Sequence, residues 1–109
     1  MKYHSKKTEV DGIVFDSKAE ARRYQELSLM AKAGAVKKLR LQPEYELIPT
    51  FKKNGRVFRK TVYRADFEYI EDGKIIVEDV KGFKTEVYKL KKKMFEYKYK
   101  DLTLREVKR

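Results

Sequence analysis

Three Asx-Gly dipeptides punctuate the alternating stretches of the chain. Asp11-Gly12 separates Thr8–Val10 from Ile13–Phe15, Asn54-Gly55 separates Phe51–Lys53 from Arg56–Phe58, and Asp72-Gly73 separates Phe67–Glu71 from residues 74–77. Such pairs supply the two positive-φ positions of a two-residue loop, so the pattern predicts three hairpins. A helical period follows Ser17. Ala21, Tyr24, Leu27 and Ala31 fall on one face, and Gly34 closes the run. A second helix is predicted over about residues 85–98, with Val87, Leu90, Met94 and Tyr97 as its apolar stripe and Lys89, Lys92, Lys93 and Glu96 on the other face. Pro43 and Pro49 bracket a short strand, Glu44–Ile48, and residues 102–107 alternate as a last strand. The order is hairpin, helix, antiparallel meander, helix, strand. That predicts a single domain over 1–109 of mixed α/β class, with one sheet and helices packed on it. The strand–helix–strand unit over 74–107 should place the last strand parallel to its predecessor through a right-handed crossover.

Charge changes the picture. Twenty-eight Lys and Arg face 17 Asp and Glu, a formal net charge of +11 on 109 residues. Such an excess points to a polyanionic partner, with nucleic acid ahead of an anionic membrane surface. Residues 1–7 form a basic lead-in, expected to be flexible. The absence of Cys excludes disulfides and thiol chemistry, and a single His excludes multi-His metal sites. No apolar run approaches the roughly 20 residues of a membrane span, so a cytoplasmic protein is expected. The high charge content and single Asn also fit a thermophilic source, which leaves the excess of positive charge unexplained.

The hairpin at Asp72-Gly73 carries the most informative chemistry. If those residues form its loop, Glu71 pairs with Lys74, and the same register sets Asp66 opposite Asp79, Arg64 opposite Lys81 and Glu68 opposite Val77. Asp66, Asp79 and Lys81 then share one face, while Ala65, Phe67, Tyr69, Ile76 and Val80 line the other as core. Like charges directly opposite are destabilising. A divalent cation reverses the sign, and Mg²⁺ is typically held by one or two carboxylates plus water. The alternative is a surface ladder in which each Asp pairs with Arg64 or Lys81. Glu78 is anomalous, since it points into the apolar face. Glu20 completes a capping box with Ser17, or else adds a third acidic ligand; its helix position leaves both open.

Asp66 and, thirteen residues on, Asp79-Val80-Lys81 resemble the signature of the PD-(D/E)XK nuclease superfamily. The wider pattern comprises Phe15-Asp16-Ser17-Lys18-Ala19-Glu20-Ala21-Arg22-Arg23-Tyr24, Gln42-Pro43, Tyr63-Arg64-Ala65-Asp66-Phe67 and Val77-Glu78-Asp79-Val80-Lys81-Gly82. It resembles a family of small phage and prophage proteins assigned to that superfamily. In size, charge and the early helix glutamate the chain also resembles Holliday-junction resolvases. The resemblance implies a restriction-endonuclease-like core and Mg²⁺, with Mn²⁺ able to substitute. Asp66 and Asp79 would be metal ligands with the Val80 carbonyl, Lys81 would orient or activate water, and Glu20 would match the acidic residue of the first helix. Ala65 stands where the family pattern has Pro.

These readings converge on a metal-dependent endodeoxyribonuclease acting in DNA recombination or repair in a phage or prophage host. Branched DNA, in particular a four-way junction, is the expected substrate, and a homodimer the expected form, because a symmetric junction needs two active sites. Expected phosphate contacts are Lys6, Lys7, Arg22, Arg23, Lys84, Lys89 and Lys92. The competing readings are a restriction-like or nicking endonuclease, and a non-catalytic nucleic-acid-binding module using some of the 14 Phe and Tyr residues for stacking.

Overall fold

A computed structural model of the chain describes residues 6–108; residues 1–5 of the basic lead-in lie outside them. The first hairpin pairs β1 (Thr8–Val10) with β2 (Ile13–Phe15) and leads into α1 (Lys18–Lys32). Then follow β3 (Lys37–Leu41), β4 (Glu44–Ile48), β5 (Phe51–Lys53), β6 (Arg56–Phe58), β7 (Thr61–Arg64), β8 (Phe67–Glu71), β9 (Lys74–Lys81), α2 (Glu86–Lys98) and β10 (Thr103–Lys108). All three expected hairpins are present, and both loop residues of each have positive φ.

The fold is mixed α/β. Its main sheet has four strands in the order β10-β9-β8-β3, with β10 parallel to β9 and the other pairs antiparallel. The expectation of one sheet is corrected, because β4 pairs with β7, and β5 with β6, as separate two-stranded ladders. β3 was not expected from the alternation: its Lys37, Lys38 and Arg40 are exposed, and Lys38 at φ 55° sits within the irregular stretch of its pairing with β8.

Two cores flank the main sheet. Under α1, Phe15, Ala21, Leu27, Val36, Phe67, Tyr69, Ile76 and Val80 are buried. Under α2, Tyr45, Leu47, Tyr63, Ala65, Val77, Tyr88 and Phe95 are buried. The stripe expected on α2 is corrected here. Val87, Leu90 and Tyr97 are 64%, 57% and 78% exposed, and the helix instead buries Tyr88 and Phe95. Phe95 sits 5.1–5.3 Å, ring centre to ring centre, from Tyr45, Tyr63 and Tyr99. Large rings that interlock remove more apolar area than a stripe of aliphatic residues, and that decides which face docks.

The parity of the meander also changes at Asp66. Ala65 and Phe67 were expected on one face, yet they enter opposite cores. The chain leaves the β4–β7 ladder and joins the main sheet at this point, and the two residues between β7 and β8, Ala65 and Asp66, make the turn that inverts the alternation.

Candidate functional site

The register of β8 and β9 runs as expected from Glu71↔Lys74 to Phe67↔Glu78 and then stops. Asp66 is therefore not paired directly opposite Asp79. Its N–H donates to the Glu78 carbonyl at 3.1 Å, and its own carbonyl accepts from Gln42 N–H at 2.9 Å. Arg64 pairs with Glu44 across the β4–β7 ladder rather than with Lys81. The kink nevertheless turns the Asp66 side chain toward β9, where a carboxylate oxygen accepts from the Val80 N–H at 2.7 Å.

Asp66 and Asp79 line one cavity of about 250 Å³ together with Glu20, Val80, Lys81, Gln42, Asp16, Arg64 and Ala65. All the catalytic residues expected from sequence are thus brought together. Val80 packs its side chain in the core under α1, so its main chain is what it presents here. Ser17 caps α1 by accepting from the Glu20 N–H at 3.1 Å, one half of the expected capping box. The Glu20 carboxyl meanwhile hydrogen-bonds Asp66.

Burial dominates the electrostatics. Asp79 is 1% exposed, its Oδ2 has no hydrogen-bond partner among the described residues, and its pKa is pushed up to about 7 by desolvation, against the pull of Lys81. Asp66 is likewise raised by burial, against the Val80 N–H, Glu20 and Lys81. Lys81 makes no ion pair within 4 Å among the described residues. Its ammonium lies over the Tyr88 ring at 4.4 Å, and the Tyr88 hydroxyl donates to Glu106 at 2.6 Å. Glu106 lies beside Asp79 in the parallel β9–β10 register and also accepts from Lys84 at 3.0 Å.

An unpartnered buried acceptor next to a second carboxylate suits a hard divalent cation. Among the described residues no three acidic or histidine side chains form a ready ligand cage. Two carboxylates with main-chain and water oxygens is a donor set that fits Mg²⁺ rather than Ca²⁺ or Zn²⁺.

Glu78 finds its explanation on the other face of β9. It is fully buried and chelated by Arg23, whose Nε and Nη2 donate at 2.7 and 3.0 Å, while the Tyr69 hydroxyl donates at 2.5 Å. Arg23 lies one turn after Glu20 on α1, so the pair fixes α1 against the strand that carries Asp79. Its remaining Nη1 donates to Glu26. Arg23, expected as a phosphate contact, thus directs one N–H from each guanidinium nitrogen to Glu78 or Glu26 within the fold. Lys84, Lys89 and Lys92 gather around a cavity of about 430 Å³ with Tyr88, Lys93, Glu96 and Glu106. Lys6, Lys7 and Arg22 are exposed and lie outside that group.

The sequence reading assigned no role to Asp16 or Tyr88. Asp16 carried a signal, its place directly before the helix cap; Tyr88 carried none, since only the docking of α2 puts its ring beneath Lys81.

Over residues 1–109 the chain matches a family described as a protein of unknown function, DUF1064. The chain belongs to DUF1064. No curated protein and no solved structure matches it. No helix among its described residues is long and apolar enough to cross a membrane.

Proposed function

We propose that this protein is a Mg²⁺-dependent DNA endonuclease with a restriction-endonuclease-like core, acting on branched DNA in the cytoplasm of a phage or prophage host. The observation that carries the reading is the Asp79 Oδ2, without a hydrogen-bond partner among the described residues and buried beside Asp66 in a cavity that also holds Lys81, on a chain of net charge +11. Asp66, Asp79 and the Val80 main chain would hold the ion. Bound Mg²⁺, or Mn²⁺ in its place, would neutralise charge on a phosphoryl oxygen and lower the pKa of a water. Tyr88 and Glu106 hold Lys81 at the rim of the cavity, where its ammonium can orient a water or a phosphate oxygen. Glu20, hydrogen-bonded to Asp66, would orient that carboxylate toward the ion and so link α1 to the site. A four-way junction has two equivalent strands to cut, so the reading calls for a homodimer.

The test is cleavage of an end-labelled four-way junction, a linear duplex and a single strand by wild type and Asp79→Asn, in Mg²⁺ and in EDTA. Paired nicks confined to the junction are expected. They should need Mg²⁺ and fall by more than about 100-fold in the variant, the upper loss typical of groups that only support a metal ligand. Equal cutting of all three substrates would overturn the junction preference. Binding without cleavage in either Mg²⁺ or Mn²⁺ would overturn the nuclease and leave a nucleic-acid-binding module.

A further inference from the structure

The β5–β6 hairpin belongs to neither core. Every residue from 48 to 60 is exposed, and β5 and β6 pair only with each other. Between Thr50 and Lys60 the chain carries Lys52, Lys53, Arg56, Arg59 and Lys60 and no acidic residue, so this segment supplies +5 of the net +11. None of the five makes an ion pair among the described residues, in contrast to Arg40, Lys84 and Arg105. A fold that needed these cations for its own stability would have given them partners.

The hairpin is nonetheless well built. Asn54 and Gly55 take φ values of 51° and 73°, as a tight two-residue loop requires. Phe51 and Phe58 are cross-strand partners whose rings stack at 4.9 Å and 8°, although each is about 40% exposed. The Arg56 guanidinium lies 5.8 Å from the Phe58 ring centre, and the Lys60 N–H closes the base on Thr50 Oγ1 at 3.1 Å. Pairing places Lys53 and Arg56 on the face of the two rings, and Lys52 on the other with Val57.

We infer that this hairpin is a duplex-DNA-binding ribbon, seated in a groove with its cations on the flanking phosphates. A two-stranded ribbon is the one β element that the roughly 12 Å major groove admits. Cations on both faces meet both walls of a groove, whereas a flat phosphate surface would use one face. Stiffening by the turn and the ring stack reduces the ordering cost of binding. The base of the ribbon is also close to the candidate catalytic cavity. Five residues lie between Lys60 and Asp66, a reach of at most about 20 Å, or roughly six base-pair steps. The inference rests on the proposed function for its choice of DNA among polyanions, and adds a contact surface separate from the lysines of α2.

The test is fluorescence anisotropy with a labelled 30-bp duplex and the matching single strand, titrated across salt. It compares wild type, the triple variant Lys52→Gln/Lys53→Gln/Arg56→Gln, and Lys52→Arg/Lys53→Arg, with circular dichroism confirming that each is folded. Removing three phosphate contacts should weaken duplex binding at least tenfold and lower the slope of log K against log salt by about 2–3. The Arg-for-Lys variant should bind as wild type does. Unchanged duplex affinity and slope in the triple variant would overturn the inference, and so would a loss confined to the single strand. The two readings fail separately. A slope that falls in a protein that never cleaves removes the nuclease and keeps the ribbon; cleavage with an unchanged slope removes only the ribbon.

Discussion

At 1% exposure Asp79 holds a carboxyl oxygen with no hydrogen-bond partner among the described residues, an arrangement that costs about 1–3 kcal/mol if nothing fills it. Desolvation raises its pKa to about 7, far above an unfolded aspartate. The folded state therefore holds a proton between about pH 4 and 7 that the unfolded state releases, and stability falls as pH rises through that window. In EDTA, Asp79→Asn should remove this contribution. Its stability relative to wild type should grow from pH 5 to pH 7, by no more than about 1.4 kcal/mol per unit, and level off above pH 7. Urea unfolding at four pH values checks this, and a difference independent of pH would mean that Asp79 is not buried as charge. Glu78, its neighbour, avoids that penalty because Arg23 and Tyr69 satisfy both of its oxygens.

Along α2, burial and exposure divide in a way that heptad-like spacing does not show. Phe95 is fully buried among three rings, whereas Leu90 is 57% exposed. Phe95→Ala should cost about 3–5 kcal/mol, the range for emptying a packed aromatic site. Leu90→Gln should stay within about 0.5 kcal/mol. Chemical unfolding of the two variants decides between the faces, and a large loss at Leu90 would restore the stripe read from sequence. The sequence shows an aliphatic series and an aromatic series on the same helix; only the rings of Tyr45 and Tyr63 on β4 and β7 select the second. The kink at Asp66 is a similar case. Each flanking strand alternates as expected, but the change of ladder between them inverts the parity.

At the scale of the molecule, the candidate site draws on α1, the β7–β8 kink, β9 and, through Tyr88 and Glu106, α2 and β10. A cation that binds Asp66 and Asp79 only when these are assembled should stabilise the whole fold. At 100 times its dissociation constant, Mg²⁺ should add about 2.7 kcal/mol and raise Tm by on the order of 10 °C. Differential scanning calorimetry with Mg²⁺ and with EDTA checks this. The shift should vanish in Asp79→Asn, and its absence in wild type would mean that the carboxylates hold no metal.

The sequence by itself determined the three hairpin loops, the two helices and the parallel last strand, and it singled out Asp66, Asp79 and Lys81 as candidates while leaving Glu20 open between cap and ligand. The loops and helices follow from local rules, turn residues that accept positive φ and a capping serine, and the last strand from the right-handed crossover; the register counted outward from the loop holds only as far as Phe67↔Glu78. Tertiary structure alone decided which face of α2 is buried, where the register ends, that Glu20, Asp66, Asp79 and Lys81 line one cavity, that Arg23 neutralises Glu78, and that Glu106 and Tyr88 stand beside the site. Each of those depends on contact between segments distant in the chain, where competing burial of rings and charges, rather than spacing, selects the arrangement.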